Sequence, residues 1–197
     1  MDLAQQAADT WTWKDNLFSQ SVVEDFSSFF IAADYNAYTT NTFQIAGGGA
    51  HDLLLATNNL NFQIGPLGAF YLPTNGPATN LFDTGSTYAT NVGLYHFTTT
   101  TNQAKEAGTL VDIGLHYVAL NSSGLAIDSD SDGLPDYFED KNGNGSQDGS
   151  EPDWNNRDSD GDGISDFVEW LLGGNPRVAF GTDTNGLFRL QIHSPLR

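Results

Sequence analysis

Apolar residues fall in short runs along most of this chain. Runs at 43–45, 51–56, 60–64, 68–72, 92–98 and 110–120 are rich in Leu, Ile, Val, Phe and Tyr. Turn formers separate them, among them Gly47-Gly48-Gly49, the Pro-Thr-Asn-Gly-Pro segment at 73–77 and Asn-Ser-Ser-Gly at 121–124. Such punctuation predicts strands. One early helix is expected over 13–30, weakened by its serines and aromatics. A second is expected over 165–172, where Phe167, Val168, Trp170, Leu171 and Leu172 are apolar and Gly173-Gly174-Asn175-Pro176 stops the run. A turn at 182–186 then leads into a last alternating strand at 187–192, whose lone edge needs a partner. The class is mainly β, arranged as a β-rich domain at 1–125, a polar segment at 126–176 and a tail at 177–197. A β-sandwich and a parallel β-helix both fit the pattern of the first domain.

The polar segment repeats itself. Three twelve-residue loops start at Asp128, Asp140 and Asp158. Positions 1, 3, 5 and 9 carry oxygen-bearing side chains, position 6 is glycine and position 12 is glutamate. In the first loop these are Asp128, Asp130, Asp132, Asp136 and Glu139; in the second, Asp140, Asn142, Asn144, Asp148 and Glu151; in the third, Asp158, Asp160, Asp162, Asp166 and Glu169. Leu134, Ser146 and Ile164 stand at position 7, where the backbone carbonyl serves. This spacing suits calcium, a hard cation that takes six to eight oxygens at about 2.3–2.6 Å. About three Ca²⁺ ions are expected. The segment has no Cys or His for zinc, and magnesium demands a tighter octahedron. The second loop carries two Asn in place of Asp and should bind least tightly.

No amphipathic helix precedes the first loop, and the second begins on the residue after Glu139. Only the third runs into an expected helix. A sensor that opens paired helices is therefore not expected, and a dockerin-like module, which needs two similar loop-helix units, fits poorly. A structural metal role fits better.

Charge sharpens this. Of 25 acidic residues, 14 lie in 128–169 against two basic ones, a net of −12 of the chain's −18. Without cations such a segment repels itself. An acidic chain with scattered Lys and Arg is also a poor nucleic-acid binder. No cysteine is present, so no disulfide framework exists. Weak calcium loops belong where calcium is millimolar, so an extracellular or cell-surface location is expected. The first residues read neither as a signal peptide nor as an anchor, and no apolar run reaches transmembrane length.

The segment 128–176 resembles the thrombospondin type 3 repeat in its bacterial surface-protein form, carried by Asp-Ser-Asp-Ser-Asp-Gly-Leu-Pro-Asp from 128 and Asp-Ser-Asp-Gly-Asp-Gly-Ile-Ser-Asp from 158. The resemblance implies calcium-dependent rigid spacers or adhesive modules. Residues 34–38, 65–73, 81–86 and 111–117 are similar to motifs near the C-terminal end of right-handed parallel β-helix surface proteins. At about 20–25 residues per rung this allows few rungs, which a larger chain or a partner would complete.

Other motifs carry less. Phe82-Asp83-Thr84-Gly85-Ser86 matches an aspartic-peptidase string, but that chemistry needs two carboxylates sharing a proton and the string occurs once. A turn in which Asp83 caps backbone amides is the plainer reading. His51, His96, His116 and His193 show no metal-binding spacing, and the glycine triplet lacks the Lys-Ser/Thr of a phosphate loop. Trp11, Trp13, Phe29 and Phe30 could stack on sugars or fill a core. Only Lys14 and Lys105 are basic before residue 140, against a polysaccharide-cleaving face. The expectation is a non-enzymatic, calcium-stabilised structural or adhesive protein that self-associates as a homo-oligomer or fibre. Binding or processing of a surface polysaccharide is the alternative, with an Asp83 peptidase behind it.

Overall fold

The computed structural model describes residues 11–21, 31–42, 44–45, 48–179 and 181. Its contacts divide the chain into two units, Met1–Gly124 with Gly143–Gly145, and Leu125–Asn142 with Ser146–Arg197. Strands outnumber helices among the described residues, and the fold is mainly β.

The first unit begins with parallel pairs. Strand β1 (Trp11–Lys14) pairs with β3 (Ile31–Asp34), and β2 (Leu17–Phe18) with β4 (Ala37–Thr39). Strand β4 then pairs in parallel with β5 (Leu53–Leu55). Trp11 aligns with Ile31 and Leu17 with Ala37, so the chain returns to register after 20 residues; Ala37 aligns with Leu53, a return after 16. Each pair of strands is joined at a corner. Asp15 and Tyr35 both take left-handed φ values, 61° and 59°. The corner backbone stacks through the Asp15 N–H to the Tyr35 carbonyl at 3.1 Å and the Ala37 N–H to the Asn16 carbonyl at 2.9 Å.

Asn36 holds the corners together from inside. Its buried amide oxygen accepts from the Asn16 N–H (3.1 Å) and Nδ2 (2.9 Å), and its own Nδ2 donates to the Trp13 carbonyl at 3.0 Å. A buried amide is tolerated because both its ends are satisfied. Beside it Trp13, Phe18 and Tyr38 stack with ring centroids 6.0 and 5.1 Å apart. These contacts replace the helix expected over 13–30. Left-handed residues at Asp15 and Gln20 cannot continue an α-helix, and the aromatics gain more by stacking between strands. The part of that expectation at 22–30 lies outside the described residues.

The main core holds Ala37, Leu55, Leu60, Leu72, Ala78, Leu81 and Ile113. Around it pairing turns antiparallel, in β6 (Gln63–Gly65) with β7 (Gly68–Tyr71) and β8 (Phe97–Thr98) with β9 (Tyr117–Val118). The strand expected at 43–45 is absent at 44–45, and those at 92–98 and 110–120 shrink to β8 and β9. Gly93 has φ 77°, and the Leu94 N–H returns to the Ala89 carbonyl at 2.9 Å, so the start of the 92–98 run is a turn.

Among its described residues the second unit has two helices, α1 (Asp136–Glu139) and α2 (Asp166–Leu172). The second matches the expected one. Ser165 caps it, accepting from the Val168 N–H at 3.4 Å, and Gly173 ends it at a left-handed φ of 76°. The short α1, not expected, forms the last four positions of the first loop, behind Pro135, which offers no side-chain cap. The strand expected at 187–192 lies outside the described residues. Among the described residues no helix is long and apolar enough to cross a membrane.

Candidate metal centres

The first and third loops have one hydrogen-bond plan, repeated 30 residues apart. Asp130 Oδ1 accepts the Asp132 N–H at 3.1 Å, and Asp160 Oδ1 accepts the Asp162 N–H at 3.0 Å. Asp132 Oδ1 and Asp162 Oδ1 accept from Leu134 and Ile164 at 2.7 and 2.9 Å. Asp128 Oδ2 and Asp158 Oδ2 accept from Gly133 and Gly163 at 3.0 and 2.8 Å. Alternate aspartates thus fold the loop by accepting from amides two to five residues on, the habit that places Asp in turns.

These bonds use one side of several carboxylates. Asp128 Oδ1, Asp130 Oδ2 and Asp160 Oδ2 are buried and have no hydrogen-bond partner. Glu139, fully buried, leaves both oxygens without a partner, and buried Glu169 leaves Oε2. A carboxyl group in this condition either takes up a proton or meets a counter-charge. Ligand atoms of Asp128, Asp130 and Asp132 all lie within 4.8 Å of one another, and so do those of Asp158, Asp160 and Asp162. Each triplet could hold a metal ion.

Electrostatics agree. Burial pushes the Glu139 carboxyl up to about 9, and the charges of Asp130, Asp132, Asp166 and Asp136 add to the rise. Glu169 is pushed up to about 7 and Asp130 to about 6, again first by burial and then by neighbouring carboxylates. Asp160 and Asp166 shift upward for the same reasons. A divalent cation among these groups would reverse the repulsion. The donor set is all oxygen, which suits a hard cation.

Position 9 has a second duty. Asp136 accepts from Ser129 with both oxygens, from N–H at 2.7 Å and Oγ at 2.8 Å. Asp166 does the same with Ser159, at 2.8 and 2.5 Å. Both aspartates are buried. They clasp the loop's second residue, a role that reading position 9 only as a ligand missed. The signal was visible, since position 2 is Ser in these loops and Lys141 in the other.

The second loop is built differently. Glu151 receives the Asn142 N–H on Oε1 at 3.1 Å and the Asp148 N–H on Oε2 at 3.3 Å. Asn142 Nδ2 donates to Asp148 Oδ2 at 2.5 Å. Asp140, Asp148 and Glu151 form no acidic triplet of the kind found in the other loops, and Asn144 belongs to 143–145, which cluster with the first unit. Ser146 lies with the second.

The other candidates lie in the first unit. Asp83 has a left-handed φ of 54°, and its N–H donates to Asp112 Oδ1 at 2.9 Å. Asp83 and Asp112 line one cavity of about 400 Å³. Asp112 is held by Thr99 Oγ1 at 2.5 Å and is pushed up to about 6 by burial and by Glu106. His116 Nε2 meets Glu106 Oε1 at 3.0 Å, and His51 Nδ1 meets Asp34 Oδ2 at 2.9 Å. That contact holds Asp34 below the usual carboxylate range. His96 is buried. Trp13 packs in the small core; His193, Phe29 and Phe30 lie outside the described residues.

Comparison with family models, with characterised proteins and with solved structures returned no match to this chain.

Proposed function

We propose that this chain is a calcium-stabilised structural or adhesive module of an extracellular or cell-surface protein, without enzymatic activity. The first and third loops would each hold one Ca²⁺ through Asp128, Asp130, Asp132 and Glu139, and through Asp158, Asp160, Asp162 and Glu169. The observation that carries this is Glu139, fully buried with two oxygens lacking partners beside an aspartate triplet. A buried ionised carboxylate is strongly unfavourable unless paired or metal-bound. The second loop would take a third, weaker ion, since its Glu151 is already held by backbone amides. Resemblance to thrombospondin type 3 repeats supports a stiff connector, and the parallel returns at 20 and 16 residues support a short stack of β-helix rungs in the first unit. Native mass spectrometry of the full chain with calcium and with chelator tests the reading. Two or three calcium ions per chain are expected; none would end it.

A homo-oligomer or fibre is the second reading. Leu171 is 64% exposed, and Val168, Trp170 and Leu172 on the same helix are also exposed. Such apolar patches mark interfaces. Sedimentation in millimolar calcium should show association; a sharp monomer would count against it.

A further inference from the structure

The first unit contains a groove of about 550 Å³ whose chemistry differs from that of the acidic loops. Its apolar side is formed by Phe62, Phe70, Leu17 and Leu115. Phe62 and Phe70 meet edge to face with centroids 5.7 Å apart. Phe70 is 57% exposed and Leu115 52%, so this side is open to a ligand. A groove of this size lies within the usual range for a small-molecule site.

The remaining wall, among the described residues, is polar and carries one charged group. Asn16, Gln20 and Asn59 supply side-chain amides. Gln20 Nε2 donates to the Asn58 carbonyl at 2.8 Å, and Asn59 Oδ1 accepts from the Asn61 N–H at 2.9 Å. Among the described residues no hydrogen bond uses Gln20 Oε1 or Asn59 Nδ2, which leaves one acceptor and one donor on this wall. Among the described residues Asp15 is the sole carboxylate in the lining, and Ser86 donates to both its oxygens, at 2.5 and 2.7 Å. No described Lys, Arg or His lines the groove.

Aromatic rings and unbonded amide atoms in one lining, with one carboxylate and no cation among the described residues, suit a sugar. A sugar ring offers an apolar C–H face to the aromatic side and hydroxyls that donate to and accept from amides. We propose that this groove binds a neutral oligosaccharide. Among the described residues an anionic glycan would meet no cation here and would face the Asp15 carboxylate. The groove supplies the adhesive half of the reading above. It uses none of the metal residues, so the two can fail separately.

The test uses the full chain in millimolar calcium. Cellohexaose, maltohexaose and mannohexaose are the neutral probes and hexagalacturonate the anionic one, read by ligand-observed NMR and calorimetry. At least one neutral probe should bind and hexagalacturonate should not. Phe70→Ala and Gln20→Ala should each weaken binding about tenfold. Leu54→Ala removes an apolar residue 70% exposed outside the groove and should leave binding unchanged. Both groove positions are exposed, and a melting curve for each variant checks that it folds. Binding by no neutral probe, preference for hexagalacturonate, or equal binding by Phe70→Ala would overturn the proposal. So would a dimer that Phe70→Ala dissolves, since the groove would then belong to a second copy. Calcium stoichiometry of Phe70→Ala, expected to be that of the parent chain, reads the metal sites independently.

Discussion

Asp132 Oδ2 accepts the N–H of Phe167 at 2.7 Å, joining the first loop to the helix that leaves the third. The other oxygen of the same carboxylate holds the Leu134 N–H, so one side chain fixes its own loop and the start of α2. Phe167 follows Asp166, the residue that clasps Ser159 in the third loop. Order in either loop is thereby passed to the other. Asp132→Ala is expected to weaken calcium binding at both sites rather than one. Calorimetric titration reads this directly; loss confined to a single site would show that the bond carries no coupling.

Gly133 and its counterpart Gly163 should be comparably hard to replace. Both are left-handed, with φ 107° and 95°. A Cβ at Gly133 would lie 3.4 Å from the Phe167 ring, whereas at Gly163 nothing stands within 4 Å. Either alanine bears a backbone cost of about 1–3 kcal/mol. At Gly133 the Cβ would meet the Phe167 ring at ordinary van der Waals distance, so neither variant adds a clash. Denaturant unfolding in calcium should show losses of this size for both variants, and a loss confined to one would refute the shared backbone argument.

Glu139→Gln separates repulsion from metal binding. Gln keeps the shape and removes the ionisable group that faces Asp130, Asp132, Asp166 and Asp136. Without calcium the variant should melt no lower than the parent. With calcium it should gain less, because the loop has lost its closing bidentate ligand. A variant that gains as much from calcium as the parent would remove Glu139 from the coordination shell.

The loops were legible because their folding instructions are local. Alternate aspartates accept from amides a few residues on, so spacing alone writes the turn. The parallel returns were not legible, because they rest on residues 20 apart. Asn16 and Asn36 form the corner contact, and the left-handed residue before each is Asp15 in one case and Tyr35 in the other. The corners share only their Asn, too little to announce the repeat, and Trp13 and Phe18 read as a helix face until stacked on Tyr38. The Asp132 to Phe167 bond was likewise hidden, since nothing in either loop names the other.

Asp112 gives the first unit a pH dependence of its own. Burial, with Glu106 adding to it, lifts its carboxyl to about 6 from an ordinary value of 3.8. Between those values the native chain holds a proton that the unfolded chain has released. This contribution is fully present below about pH 4 and is lost as pH rises through 6. Asp112→Asn cannot titrate. The melting temperature of the parent minus that of the variant should fall across this window, and a constant difference would contradict the assignment.

Differential scanning calorimetry of the full chain, with millimolar calcium and with chelator, tests the central claim most directly. Calcium at a hundred times its dissociation constant adds about 2.7 kcal/mol per site to the native state. The transition that includes the acidic loops should therefore move to higher temperature with calcium, and magnesium should not reproduce the shift. Superimposable transitions in calcium and chelator would contradict a fold held by calcium.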